Sequence, residues 1–479
     1  MSAPNCSSRN TSTLSFRKIP FFQVLLTLLF ITQNVHIRRV KAECSTDGTY
    51  GCPLTAVDIW YGDSPFKEAL SFLRRYATKV SDNDDADVDA INQALATLKV
   101  AGDEKRTLLT LRGMKGGRLE DQINQDRALM VSPFHILAPG SNSNSDSNNS
   151  RLPSAQLLGV FDGHGGGGEL TSNYAMENFP SLLAAKLATI YIKDSDDNDS
   201  HNDFDPDLSI VQALKEVFID VDRKDPSKKW SGGSTATVVL QIGHKLFVAN
   251  AGDSVSFVGV YFGGKSTIIP LEQRIQIAYQ SREDKPDIPE EKARIVAAGG
   301  YVNIPLGDNG DVPRVYHIDK DGSARYGLAM SRSLGDWGLQ GVTAEPIVDV
   351  LDLKDIAQAA LVSYAETCSS RNNDKENLDP KEQYCDALNT SDIHIFATSI
   401  SDGMMDYLSP EDIGILLAES FFDEDSRLHP HTAAEQLVNK AAMGWENEFS
   451  GQYRDDIAIA SFVVPFLKEN IRESPSAGI

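Results

Sequence analysis

Positive charge is what this 479-residue sequence has least of: 45 Lys and Arg stand against 68 Asp and Glu, for a net charge of −23. A nucleic-acid binder needs a basic footprint to displace counterions, so no nucleic-acid partner is expected. Cysteine is sparse, at five residues, and no Cys/His set has ligand spacing, which argues against a structural zinc. Acidic loops such as "DSDDNDSHNDFDPD" suggest a calcium-binding lumenal protein. No segment, however, alternates oxygen ligands with a central glycine and a terminal glutamate as an EF-hand does. Internal repeats are lacking, and long apolar runs are lacking too. The run "IPFFQVLLTLLFI", residues 19–31, has the length of a signal-peptide core and is short for a membrane span.

What is present begins with that run. Arg17 and Lys18 precede it, and Val40-Lys41-Ala42 offers a small-residue cleavage pattern, so residues 1–42 read as a signal peptide. The alternative is a signal anchor through residues 19–31, with Arg38, Arg39 and Lys41 holding the flank in the cytoplasm. Two patterns favour the lumen of the secretory pathway or the cell exterior over a membrane-anchored cytosolic body. The pairs Cys44/Cys52 and Cys368/Cys385 lie close in sequence, as disulfides would. Asn148, Asn198 and Asn389 each open an N-x-S/T sequon in polar surroundings.

Hydrophobic residues make up 41% of the chain, enough for a sizeable core. Residues 43–106 carry helical periodicity in "PFKEALSFLRRYATKV" and "VDAINQALATLKV" and read as a helical extension. From 107 to 467 the pattern turns to short runs rich in β-branched and aromatic residues, among them "LLGVFD", "TATVVLQIG", "KLFVANAG", "VSFVGVYFG", "HIFATSIS" and "DIAIASFVV". Helices are expected over 169–189, 208–222, 289–298, 410–422 and 432–446, the fourth announced by Ser409 as N-cap and Pro410 behind it. "TVVLQIG" runs at once into "HKLFVAN", which only an antiparallel pair allows. The expected class is therefore α+β, a sandwich of antiparallel sheets with helices outside. Polar inserts at 140–150, 193–207 and 366–391 read as surface loops, and 468–479 as a tail.

Five aspartates sit at strand margins: Asp126 closing "NQD", Asp162 opening "DGHGGGG", Asp253 closing "ANAGD", Asp402 after "FATSIS" and Asp455 before "DIAIASFVV". Singly such residues are turn-formers. Gathered at one rim they would suit a hard divalent ion such as Mg²⁺ or Mn²⁺, and the carbonyl of Gly163 could approach closely because no side chain stands in its way. In "SGGSTATVVL" the β-branched run reads as a buried strand, so Ser234 and Thr235 are expected to be structural rather than a phosphate cradle.

The ordered set "NQD", "VFDGHGG", "GGSTATVVL", "ANAGDS", "EEKARIVAAGGYV", "LAMSRSLGDWG", "AEP", "SDGMMD" and "RDDIAIA" resembles the metal-dependent serine/threonine protein phosphatases of type 2C over residues 107–467. The resemblance implies a four-layer α-β-β-α sandwich with two ions at one edge and phosphoproteins as substrates. It implies Asp162 bridging both ions, Gly163 lending its carbonyl, and Asp126, Asp402 and Asp455 completing the site directly or through waters. Asp253 would hold a weaker third ion. A water activated between the ions would attack phosphorus in line, and His164 would protonate the leaving alkoxide. A monomeric catalytic domain is expected.

The chain departs from the family pattern in places. The phosphate-binding arginine usually five residues before Asp126 is Asp121 here, leaving Arg118, or Arg112, to reach in. The acid before Asp126 is Gln125, the arginine after "AGDS" gives way to Val255, and the expected asparagine after Asp455 is Asp456. The missing arginine supports an alternative, a catalytically weak or silent phosphatase-like binding module.

Overall fold

In β-branched runs with apolar residues at successive positions both faces of a sheet are buried, and here they are. The computed structural model describes residues 40–42, 53–56, 102–103, 105–116, 122–136, 155–196, 205–263, 271–305, 312–373, 392–423, 426 and 428–465. All fall within one structural unit of the chain, residues 38–59 and 92–479. Its first strands are β1 (Val40–Ala42), β2 (Pro53–Ala56), β3 (Gly102–Asp103), β4 (Arg106–Leu111), β5 (Arg127–Phe134), β6 (Ala155–Phe161) and β7 (Gly163–His164). Next come β8 (Gly233–Ser234), β9 (Ala236–Ile242), β10 (Lys245–Ala251), β11 (Val255–Phe262), β12 (Ile275–Gln280) and β13 (Tyr301–Asn303). The last are β14 (Arg314–Ile318), β15 (Ala324–Leu328), β16 (Leu334–Gly335), β17 (Ile347–Asp352), β18 (Ile393–Ile400) and β19 (Ile457–Val464). The helices are α1 (Gly168–Asp196), α2 (Pro206–Lys224), α3 (Pro289–Ala297), α4 (Leu353–Asn373), α5 (Asp402–Met405), α6 (Pro410–Phe422) and α7 (Pro430–Glu448).

Two antiparallel sheets carry the fold. One has the order β1-β2-β5-β6-β9-β10-β17 and the other β12-β11-β18-β19-β4-β3. Along β5, Ala128 and Met130 point between the sheets, where they meet Leu158, Val239, Val258, Ile395, Ala458 and Phe462. The alternate residues Leu129 and Val131 point outward to Phe179, Leu183, Leu214 and Phe218 of α1 and α2. Period-two alternation along β5 therefore feeds two cores at once. On the far side α7 packs on β4 and α6 on β12, completing the α-β-β-α layers the family resemblance implied.

Register brings the strand margins to one rim. Arg127 at the start of β5 lies opposite Phe161 at the end of β6. In the second sheet Val255 at the start of β11 lies opposite Ile400 at the end of β18, and Ile400 faces Ile459 near the start of β19. Asp126, Asp162, Asp253, Asp402 and Asp455 each sit one or two residues beyond these ends.

A smaller sheet, β13-β14-β15, follows α3 and is fastened by a buried ion cluster. The Glu291 carboxylate, 1% exposed, accepts bonds from Arg332 Nη2 at 2.7 Å, Arg294 Nη2 at 2.6 Å, Arg282 Nη2 at 2.9 Å and Ser331 Oγ at 2.9 Å. Burial pushes its pKa up, but the Arg332 and Arg294 bonds win and hold it at about 2.

The five helices expected between 107 and 467 are present, some longer than the sequence pattern suggested: α1 continues to Asp196, into the 193–207 insert. Ser409 caps α6 by accepting a bond from Asp412 N at 3.1 Å. Helix α4 corrects the sequence reading: it enters the 366–391 insert, expected to be loop throughout. Within residues 43–106 the described residues include strands β2 and β3, while the two helical stretches expected there lie outside the described residues. So do the run 19–31, Cys44, Cys52, Cys385, the three sequons, the 468–479 tail and Arg118. Residues 40–42, the expected cleavage pattern, pair with β2. No described helix is long and apolar enough to cross a membrane.

Candidate active site

The stretch "FDGHGGGGEL" is a strand end turned into a helix start. The backbone of Asp162 is clamped by Thr235, whose N–H donates to Asp162 O at 2.8 Å and whose Oγ1 accepts from Asp162 N at 3.1 Å. Thr235 is thus a structural residue, as its strand context suggested. Gly163 N donates to Gln125 O at 3.2 Å, and a Cβ on Gly163 would lie 2.7 Å from that same oxygen and from Gly168. Only glycine fits. Gly165 and Gly167 then take positive φ, +67° and +87°, and a Cβ on Gly167 would strike Trp230 at 2.7 Å. Gly167 therefore seats the Trp230 segment as well as turning the chain. Gln125, standing where an acid was expected, donates to Gly165 O and to Glu169 Oε2, both at 3.0 Å, tying β5 to the start of α1.

Around this turn the carboxylates crowd. Asp126 is fully buried, and neither of its oxygens has a hydrogen-bond partner; Asp402 Oδ1 and Asp253 Oδ1 are likewise buried without one. Such groups are costly to leave unmatched. Burial, and then the Asp456 charge, hold the Asp126 pKa well above the carboxylate range. Burial, then Asp126 and Asp402, do the same to Asp162. Burial and the charges of Asp253 and Asp455 push Asp402 up to about 7. Burial, against the pull of Lys285, pushes the neighbouring Asp406 up to about 6. This is a cluster short of positive charge.

Two lysines, neither foreseen from sequence, answer part of it. Lys115 Nζ lies 2.6 Å from Asp455 and 3.0 Å from Asp456, and Lys285 Nζ lies 2.8 Å from Asp253. Burial works against the Lys115 charge, but Asp456 and Asp455 outweigh it and raise its pKa. The unexpected Asp456 is also backbone glue: it accepts from Gly113 N at 2.5 Å and from Gln125 N at 3.0 Å. Arg112 Nη1 donates to Gln122 O at 3.1 Å.

The donor set fits hard divalent cations: carboxylate oxygens, several unpartnered and buried, beside a glycine carbonyl that no side chain shields. Among the described residues no three His, Cys, Asp or Glu side chains converge to cage an ion by themselves. The shell of an ion here would include backbone and water oxygens. Beside the carboxylates, His164 Nε2 lies 2.7 Å from Asp336 Oδ2, while Nδ1 is buried without a partner. Burial pulls the His164 pKa down, and the Asp336 charge and hydrogen bond more than offset this, leaving it raised. Asp336 stood in the quoted "SRSLGDWG" without a role. Its signal was an aspartate after a glycine in a motif already singled out.

A sandwich whose antiparallel strand ends deliver aspartates to one rim gathers oxygen ligands of the kind that hard cations take. A model of the protein phosphatase 2C family matches residues 121–362, half of the chain, and the chain belongs to that family. It is 30% identical over 258 residues to a probable protein phosphatase 2C of Arabidopsis thaliana, covering 53% of this chain and 64% of that protein. It is 27% identical to a probable protein phosphatase 2C of Oryza sativa subsp. japonica, covering 67% of each. Against the solved serine-threonine phosphatase 2C from Toxoplasma gondii the TM-score is 0.46 at 18% identity, over 75% of this chain and 94% of that one.

Proposed function

We propose that this chain hydrolyses phosphoserine and phosphothreonine monoesters in proteins, with Mg²⁺ or Mn²⁺, at the rim where β5, β6, β18 and β19 begin or end. The observation that carries this is the cluster of carboxylates at Asp126, Asp162 and Asp402, with both Asp126 oxygens and Asp402 Oδ1 buried and unpartnered, alongside membership of the family. Asp162 and the Gly163 carbonyl, with Asp126, Asp402 and Asp455, are the groups to hold two ions, and Asp253 a third and weaker one. When bound, such ions neutralise phosphoryl oxygens and make a water nucleophilic near neutral pH. Thr235 fixes the Asp162 backbone, Gln125 fixes the glycine turn, and His164 supplies from Nδ1 the proton that the leaving alkoxide needs.

Purified chain incubated with a phosphothreonine peptide is expected to release phosphate with Mn²⁺ and none with EDTA. Asp162→Asn is expected to abolish the release while far-ultraviolet circular dichroism stays unchanged. Phosphate release indifferent to metal, or full activity of Asp162→Asn, overturns the assignment.

A further inference from the structure

We infer that Asp336 is the positioning residue for His164, holding the ring by Nε2 so that Nδ1 is the atom that gives up the proton. This rests on the reading of His164 as the general acid. The Asp336 carboxylate is fully buried and held from three directions. His164 Nε2 lies 2.7 Å from Oδ2, Ser333 Oγ donates to Oδ2 at 2.7 Å, and Tyr326 OH donates to Oδ1 at 2.8 Å. Those partners come from β7, from the turn before β16 and from β15, so three elements converge on one side chain.

The backbone is shaped for the same contact. Asp336 has φ +48° and follows Gly335 at φ +83°, a left-handed pair that a non-glycine residue seldom joins without reason. A Cβ on Gly233 would lie 2.3 Å from Asp336 Oδ2. Glycine in the strand paired with β7 is therefore what lets the carboxylate reach the imidazole. On the other side of the ring, Nδ1 has no partner though it is buried, which leaves it for a ligand.

A carboxylate accepts only, so its partner nitrogen must carry hydrogen, and the ring can donate from Nδ1 only when both nitrogens are protonated. In the transfer a water oxygen bonds to phosphorus and gives a proton to solvent as the ester P–O bond breaks, and the leaving oxygen takes that bond's electron pair and the Nδ1 proton. The Nε2 proton stays in the bond to Asp336, and solvent restores Nδ1. A carboxylate that orients a catalytic imidazole and selects its tautomer is a general device, argued here from this chain's own contacts.

The test compares Mn²⁺-loaded full chain, His164→Ala, Asp336→Asn and Tyr326→Phe on a phosphothreonine peptide and on p-nitrophenyl phosphate, whose leaving group needs little protonation. Asp336→Asn is expected to lose about 100-fold in kcat on the peptide and under about threefold on the aryl ester, following His164→Ala. Tyr326→Phe, which leaves the carboxylate in place, is expected to show the same split at about three- to tenfold, and carries the test if Asp336→Asn does not accumulate. In ¹⁵N-histidine spectra the His164 Nε2–H resonance is expected to be slow to exchange in the parent and to vanish in Asp336→Asn. A split for His164→Ala without one for Asp336→Asn or Tyr326→Phe overturns this inference alone. Equal losses on both substrates for His164→Ala overturn the general-acid reading and the inference with it.

Discussion

Lys115 is the residue on which the charge balance of the rim turns. It pairs with Asp455 and Asp456, so a cation arriving at Asp455 meets an ammonium already there. Removing that ammonium should ease cation entry, because two like charges a few Å apart in a partly buried site repel by more than thermal energy. For Lys115→Met, Mn²⁺ titration calorimetry is expected to give a dissociation constant lower by about tenfold, roughly 1.4 kcal/mol. Unchanged or weaker binding would mean that the lysine does not compete. The substitution that looked like an added charge, Asp456 for asparagine, is thereby explained: Lys115 matches it, and two backbone N–H groups depend on it. Nothing local in "MKGG" announces this, since the lysine and its partners meet only after the whole sandwich has closed.

At the scale of elements, two fastenings of very different strength can be compared. Ser409 caps α6 from the surface, and Ser409→Ala is expected to cost about 1 kcal/mol. Glu291 is buried under three guanidinium groups, and Glu291→Gln leaves those charges short of their partner, at about 3 to 5 kcal/mol. Urea unfolding should rank the two in that order, and limited proteolysis of Glu291→Gln should cut first between β12 and β17. Equal midpoints for the two variants would contradict the ranking. The Ser409 cap was legible because a cap is a local pattern of four residues, and so were the strands whose ends hold Asp162 and Asp402. Helix α4 was not. Its buried positions, Leu353, Ile356, Ala357 and Ala360, are half alanine, and its later turns enter a run polar enough to read as loop. Asp336 escaped for another reason: its contact with His164 spans 172 residues, and no periodicity reports a turn meeting a strand end.

For the molecule as a whole, the rim carboxylates set how stability responds to pH and metal together. Asp126, Asp162 and Asp402 have folded-state pKa values above the ordinary carboxylate value, Asp402 at about 7 and Asp406 at about 6. The folded chain therefore binds more protons than the unfolded chain between about pH 4 and 7, and its stability falls as pH rises through that window. His164 acts in the same direction, since a raised histidine pKa contributes stability below its unfolded value that is lost as pH rises through the folded one. Glu291, depressed to about 2, contributes fully above about 4.5 and weakens only below it, so it does not mask the slope. On the proposed function divalent cations would bind the deprotonated cluster, and a ligand at a hundred times its dissociation constant adds about 2.7 kcal/mol. In EDTA the melting temperature is therefore expected to drop between pH 5 and 8, and saturating Mn²⁺ to raise it more at pH 8 than at pH 5.5. Asp402→Asn should flatten the slope in EDTA and shrink the Mn²⁺ increment at pH 8. A melting temperature that climbs from pH 5 to 8 without metal would mean that these carboxylates are not held protonated by their burial and by one another.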